Sequence, residues 1–267
     1  MAKVLRIRKE EIGLKEALQQ FLFLKRAQGL ADRTIEDYQY HVGAFFKFCD
    51  TWEDVSEKIK EYMAQDIKAN TYNIRIRYLR AFFDWCVSEG FLAQNPLKGF
   101  KLRKAENRIV NIDEDVLKQL LEIPDRKTFT GLRDYALILL HLDTGIRPQE
   151  ALSLTKEDIC LRQGLVNVRS ATAKTRVVRS LPISPVTAQA IGRLMAAQNE
   201  RWKTGLVFCT YEGQPMNRKS WSRRMMEYSK KVGVKVRPYD LRHCFALYYL
   251  RADGDVFSLQ RILGTPI

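Results

Sequence analysis

Histidine is scarce: three in 267 residues. That leaves little material for a histidine-based metal centre, and His41 and His141 lie in apolar helical stretches where packed imidazoles are expected. The five cysteines (Cys49, Cys86, Cys160, Cys209, Cys244) are scattered singly, without metal-ligand spacing or an even disulfide framework. Reduced, mostly buried thiols of a cytosolic chain are expected. A Gly-rich phosphate loop, an H-E-x-x-H pair and a Cys/His cluster are all missing, so no metal and no cofactor is expected. No apolar run is long enough to span a bilayer. The opening MAKVLRIRKEEIG lacks the apolar core of a signal peptide. No membrane is expected as a partner, and the expected location is cytoplasmic.

Acidic residues are also in short supply. Against 45 Lys and Arg stand 31 Asp and Glu, a net charge of +14. With no basic run beside an apolar anchor, that charge favours nucleic acid as the partner. The excess is uneven: residues 1–103 carry net +4 and residues 104–267 net +10. Hydrophobic residues make up 46%, enough for real cores, and the length favours two domains.

The first hundred residues read as helices. "LKEALQQFLFLKRAQG" carries apolar residues at helical spacing up to a Gly29 stop. "ADRTIEDYQYHVGAFFKFCD" follows a cap expected at Asp32 or Thr34. "VSEKIKEYMAQDI" is a third amphipathic helix, and "NTYNIRIRYLRAFFDWCVSEG" a fourth, opened by an Asn/Thr cap. On that fourth helix Ile76, Leu79, Phe82, Phe83 and Cys86 form the apolar stripe, and Arg75, Arg77 and Arg80 the polar face. Those arginines fit a solvated face and a phosphate-contacting one equally well. "NPLKGFKLRKAENR", Asn95 to Arg108, lacks periodicity and reads as a flexible basic interdomain linker.

Beyond it, "DEDVLKQLLEI", "TGLRDYALILLHLDTG", "RPQEALSLTKEDI", "SPVTAQAIGRLMAAQ", "RKSWSRRMMEYSKKVG" and "YDLRHCFALYYLRADG" keep helical periodicity. "SLQRILG" closes the series with a Gly stop. "GLVNVRS" and "TRVVRSLPI", rich in β-branched residues, predict a hairpin or small sheet. Several basic residues fall at pointed places. Arg147 follows Gly145, where a buried helix breaks. Lys174 lies in the hairpin loop, with Arg176 and Arg179 after it. Arg242 and His243 stand near the start of an otherwise apolar helix. A guanidinium there is costly to bury unless it meets an anion; a structural pair with Asp143 or Asp240 is the alternative.

Taken together, "TGIRPQEALSL", "AKTRVVRSLPI", "RPYDLRHCFAL" and "RILG" resemble, in order and spacing, the motifs of the tyrosine recombinase (phage integrase) family. "GLADRTIEDYQYHVGAFFKF" and "NIRIRYLRAFFDWCVSEGFLAQNPL" resemble its core-binding domain. The resemblance implies a mainly α chain of the DNA breaking-rejoining type. An all-α, SAM-like core-binding domain (1–100) would be joined to a mostly helical catalytic domain with a small antiparallel sheet (101–267). It implies double-stranded DNA as partner, a homo-oligomer on that DNA, and site-specific recombination through a 3′-phosphotyrosyl intermediate without cofactor. Arg147 and Arg242 match the family's two catalytic arginines and Lys174 its hairpin lysine. Glu150 and His243 match supporting positions, and Arg75, Arg77, Arg80, Arg176 and Arg179 are the expected DNA contacts. Such residues suit the chemistry, since guanidiniums clamp the charge that builds on a phosphate in transfer.

The pattern also departs from the family. Tyr239 stands where a histidine usually opens the "HxLRH" motif, and Thr265 where "LGH" has its histidine. The family's nucleophilic tyrosine lies beyond that point, while the sequence stops at Ile267. The catalytic domain is therefore expected to be incomplete, with no nucleophile and no cleavage. Tyr248 and Tyr249 belong to the preceding helix, where core packing or a surface phenol is the expected role. The alternative is a family-derived protein that occupies recombination sites without cutting.

Overall fold

The computed structural model describes residues 12–105, 110–169 and 178–265. They form two compact units, Met1–Asn107 and Arg108–Ile267, each with its own hydrophobic core.

In the first unit four helices, α1 (Leu14–Ala27), α2 (Asp32–Phe45), α3 (Val55–Ala64) and α4 (Ala69–Ser88), surround an aromatic core. Phe21, Phe45, Phe82 and Phe83 are fully buried. Phe21 meets Phe82 edge-on at 5.5 Å, and Phe45 meets Phe83 at 5.8 Å, the offset geometry that aromatic quadrupoles favour. The expected caps at Asp32 and Thr34 are corrected. Ala31 is the N-cap of α2 and makes no side-chain cap bond; Asp32 sits in the first turn, where a carboxylate complements the helix dipole. Likewise α4 starts at Ala69 with Lys68 as N-cap, ahead of the expected Asn/Thr cap.

The flexible linker expected from Asn95 onward is corrected too. Its first nine residues are strapped to α4. Asn95 Nδ2 donates to Asp84 Oδ1 (2.6 Å) and to the Arg80 carbonyl (3.1 Å), and Leu97 is fully buried in the aromatic core. Asn73 makes a reciprocal pair with the Arg103 backbone, both bonds at 2.8 Å. The Arg103 guanidinium lies 3.8 Å over the Tyr72 ring.

The second unit contains α5 (Glu114–Glu122), α6 (Phe129–Thr144), α7 (Pro148–Leu152), strands β1 (Ile159–Cys160), β2 (Leu165–Val168) and β3 (Arg179–Pro182), then α8 (Pro185–Ala196), α9 (Arg218–Val232), α10 (Pro238–Arg251) and α11 (Val256–Leu263). The strands form an antiparallel sheet in the order β1-β2-β3, with Val168 opposite Arg179 and Leu165 opposite Pro182. Helix α6 is the hub, capped by the Thr128 hydroxyl on the Gly131 amide and packed against α8 and α10. Its apolar stripe runs most of the way round, as a central helix requires. Four of the five cysteines are buried, and all five are free thiols. Among the described residues no helix is long and apolar enough to cross a membrane.

Candidate functional site

Helix α6 ends at Gly145, which takes the left-handed conformation (φ 60°). Here glycine is required twice over: a side chain would be strained at that φ, and its Cβ would lie 2.4 Å from the Phe245 ring. Two residues on, Arg147 is the N-cap of α7, with Pro148 at the first helical position. Glu150, one turn further, folds back so that Oε2 accepts the Arg147 amide (3.1 Å) and Oε1 accepts Arg147 Nη1 (3.0 Å).

The buried Glu150 carboxylate has a second cation. Arg179, first residue of β3, donates from Nη2 to Glu150 Oε2 at 2.5 Å. Arg242, one turn into α10, completes the group. Its Nη1 donates to the Gly145 carbonyl (2.6 Å) and its Nη2 to the Leu263 carbonyl (2.8 Å).

The end of α11 joins the three arginines. The Ile262 carbonyl accepts Arg179 Nε (2.8 Å), the Leu263 carbonyl accepts Arg242 Nη2, and the Gly264 carbonyl accepts Arg147 Nη2 (2.9 Å). Three consecutive carbonyls thus meet three guanidiniums. The last carbonyls of a helix have no intrahelical partner and carry its negative dipole end, so cations are the natural partners for them. Gly264 turns the chain away at φ 60°.

The charges here do not balance. Among the described residues two guanidiniums bond one carboxylate, and the third, Arg242, has main-chain carbonyls as its partners. Burial pushes the Glu150 carboxyl up, but the hydrogen bonds and charges of Arg179 and Arg147 outweigh it and hold Glu150 below the usual carboxylate range. Burial and then the neighbouring Arg147 charge push Arg242 down to about 10, a large displacement for a guanidinium. An added anion would relieve the displacement of Arg242.

Other expected residues fall at varied distances from this cluster. Tyr239 is exposed and lies within electrostatic reach of Arg242. His243, expected as structural support, is exposed and lies edge-on to Tyr239 at 5.3 Å. The Asp partners considered for Arg242 are engaged elsewhere: Asp143 accepts the Ser184 amide and Asp240 the Arg237 amide. Lys174 and Arg176 lie outside the described residues. Tyr248 donates its hydroxyl to the Ile112 carbonyl (3.0 Å), and Tyr249 packs against Gly254, where a Cβ would come within 2.2 Å of its ring.

Three of the arginines expected as DNA contacts have partners within the protein. Arg179 is buried, and faces the cluster, because it is in phase with the buried Leu181 on β3. Period-two alternation was the available signal, since Arg179, Leu181 and Ile183 share one face of the strand. Arg75 donates to the Tyr62 carbonyl (3.1 Å) and to Gln65 Oε1 (2.7 Å), with its guanidinium 4.1 Å over the Tyr62 ring. Arg80 donates to the Phe100 carbonyl (2.7 Å). Both brace the first unit, and Arg77 is the exposed arginine of that stretch.

The phage integrase family model matches residues 110–265, the segment that carries the whole arginine cluster. The chain belongs to the phage integrase family. Among tyrosine recombinases, it is 30% identical over 259 residues to XerC of Thermodesulfovibrio yellowstonii, covering 90% of this chain and 84% of that one. It is 28% identical over 262 residues to XerC of Xylella fastidiosa strain 9a5c, covering 91% and 86%. Solved integrases share the fold. A lambda integrase tetramer bound to a Holliday junction superposes with a TM-score of 0.78 at 18% identity, covering 100% of this chain and 82% of that one. The Tn1549 transposon integrase in complex with a circular intermediate DNA gives 0.75 at 17% identity, covering 94% of this chain and 92% of that one. In this phage integrase family member Arg147 caps α7, Arg242 lies on α10, and the small sheet falls between them in sequence.

Proposed function

We propose that this chain is a site-specific DNA recombination protein whose arginine cluster holds a phosphate of duplex DNA. The observation that carries the reading is the convergence of Arg147, Arg179 and Arg242 on one helix end, with a single carboxylate bonded by two of them, a cationic site short of an anion among the described residues. Arg147 and Arg242 each spend two of five guanidinium N–H donors on the bonds described, so donors remain for phosphate oxygens. In the proposed reaction those donors stabilise charge on the non-bridging oxygens, Lys174 protonates the leaving 5′-oxygen, and Tyr239 adds a hydrogen bond. DNA-bound relatives, among them the lambda integrase dimer on a core site and the tetramer on a Holliday junction, support duplex DNA and an oligomer upon it. Residues 12–105 serve as the core-binding half, with Arg77 on the exposed face of α4.

A tyrosine C-terminal to Gly264 would be the nucleophile, and residues 265–267 hold none. Residues 1–267 by themselves bind and do not cleave. The second reading, a protein that occupies recombination sites without cutting, is favoured by Tyr239 and Thr265 standing at positions where the family has histidine.

Binding of residues 1–267 to a labelled duplex across a salt series tests the proposal. Affinity should fall steeply with salt, because phosphate contacts release counterions; no binding at low salt would overturn it. A nicked suicide duplex is expected to give no covalent adduct, and an adduct mapped to Tyr248 or Tyr249 would overturn the second half.

A further inference from the structure

Arg179 is buried, at 8% exposure, and bonds three of its guanidinium nitrogens within the protein, against two for Arg147 and two for Arg242. Its bonds run inward: Nη2 and Nη1 to the two Glu150 oxygens (2.5 and 3.4 Å) and Nε to the Ile262 carbonyl (2.8 Å). A Cβ on Gly264 would sit 3.0 Å from Arg179 Nη1, so the α11 terminus closes directly over this guanidinium. We infer that Arg179 is a positioning residue, which holds Glu150 and the α11 end so that Arg147 and Arg242 face the phosphate. The inference rests on the phosphate reading above.

The physical case turns on one shared carboxylate. Glu150 is 1% exposed, and a buried carboxylate needs full compensation. With Arg179 present, Arg147 supplies only part of that compensation, through a single side-chain bond to Oε1. Without the Arg179 charge, Arg147 is the remaining cation bonded to Glu150. It is drawn into bidentate pairing with the carboxylate and gives up N–H groups that would face the phosphate. The Ile262 carbonyl loses its donor in the same step, which loosens the helix end that also aligns Arg147 and Arg242. Removing the Glu150 charge as well abolishes the pull on Arg147.

A double-mutant cycle separates this role from direct DNA contact and from a merely structural one. Duplex affinity of residues 1–267 is measured for the native chain, Arg179→Met, Glu150→Gln and the double variant, at temperatures where circular dichroism shows each one folded. Arg179→Met is expected to weaken binding about tenfold or more in the native background and less than about threefold in the Glu150→Gln background. Arg179→Lys keeps the charge but cannot serve Glu150 and Ile262 together, and is expected to fall between the native chain and Arg179→Met. It carries the test if the Met variant does not fold, its loss then shrinking in the Glu150→Gln background. Equal losses in both backgrounds would mark Arg179 as a direct contact and overturn the inference. Unchanged affinity in folded Arg179 variants would also overturn it. Failure of the native chain to bind any duplex would remove the phosphate reading itself, a result distinct from a missing rescue.

Discussion

Two buried carboxylates of the second unit, Asp134 and Glu150, each receive two arginines, and their fates differ. Asp134 Oδ1 accepts Arg133 Nη2 (2.7 Å), while Oδ2 accepts Arg224 Nε (2.8 Å) and the Tyr228 hydroxyl (2.6 Å). Arg133 spends a further donor on the Cys209 carbonyl (3.0 Å). That network ties α6 to α9, and its charges balance, because Glu227 Oε2 accepts Arg224 Nη1 (3.0 Å) and gives the two cations two carboxylates. Around Glu150 a third guanidinium arrives from α10, and its partners are carbonyls with no formal charge. The same ingredients make a girder in one place and an anion site in the other. What separates them is the extra, uncompensated cation.

Breaking the Asp134 girder should have the largest effect. Asp134→Asn leaves Arg133, 5% exposed, without its anion, and disruption of a buried pair costs about 3–5 kcal/mol. Urea denaturation should show that loss, while duplex affinity of the folded fraction stays near native. A matching fall in intrinsic affinity would erase the distinction between the two carboxylates.

Next in size is the contrast between Arg242→Ala and Arg224→Ala. Loss of charge-assisted hydrogen bonds of about 1.5–3 kcal/mol at Arg242 should weaken duplex binding roughly 10- to 100-fold. Arg224→Ala should lower the urea midpoint and leave binding within about twofold. Equilibrium binding and denaturation on the same two variants check both halves.

The smallest effect concerns acid. Glu150 is held below its ordinary value, so its folded form binds a proton less readily than its unfolded form. The stability it contributes is present above the unfolded carboxylate value of about 4.3. It is lost as pH falls through the lower, folded value. Glu150→Gln should flatten the acid limb of stability below about pH 4.3. An unaltered limb, measured by denaturation at a series of pH values, would show that Arg147 and Arg179 do not stabilise the ionised form.

Much of the fold was legible because helical apolar spacing and glycine stops are local signals. The strap from Asn95 to Arg103 was not, since its fastenings join residues far apart in the chain, such as Asn73 with Arg103 and Asn95 with Arg80. Arg147 and Arg242 were legible from motif and from the oddity of a guanidinium on an apolar helix. The inward turn of Arg179 was legible in the strand's alternation, whereas its partners Glu150 and Ile262 lie far from it in the chain. The contribution of Ile262, Leu263 and Gly264 had no sequence signal, for their acceptors are main-chain oxygens.

That last feature has a consequence for how the site tolerates change. Because the α11 acceptors carry no side-chain identity, the residues of that helix end can be rewritten without erasing them, provided the Gly264 turn is kept. Deleting a single residue from α11 is another matter. It would rotate the terminus by about 100° and draw it back by about 1.5 Å, moving all three oxygens off their guanidiniums together. This stretch of the site is protected by its phase rather than by its composition.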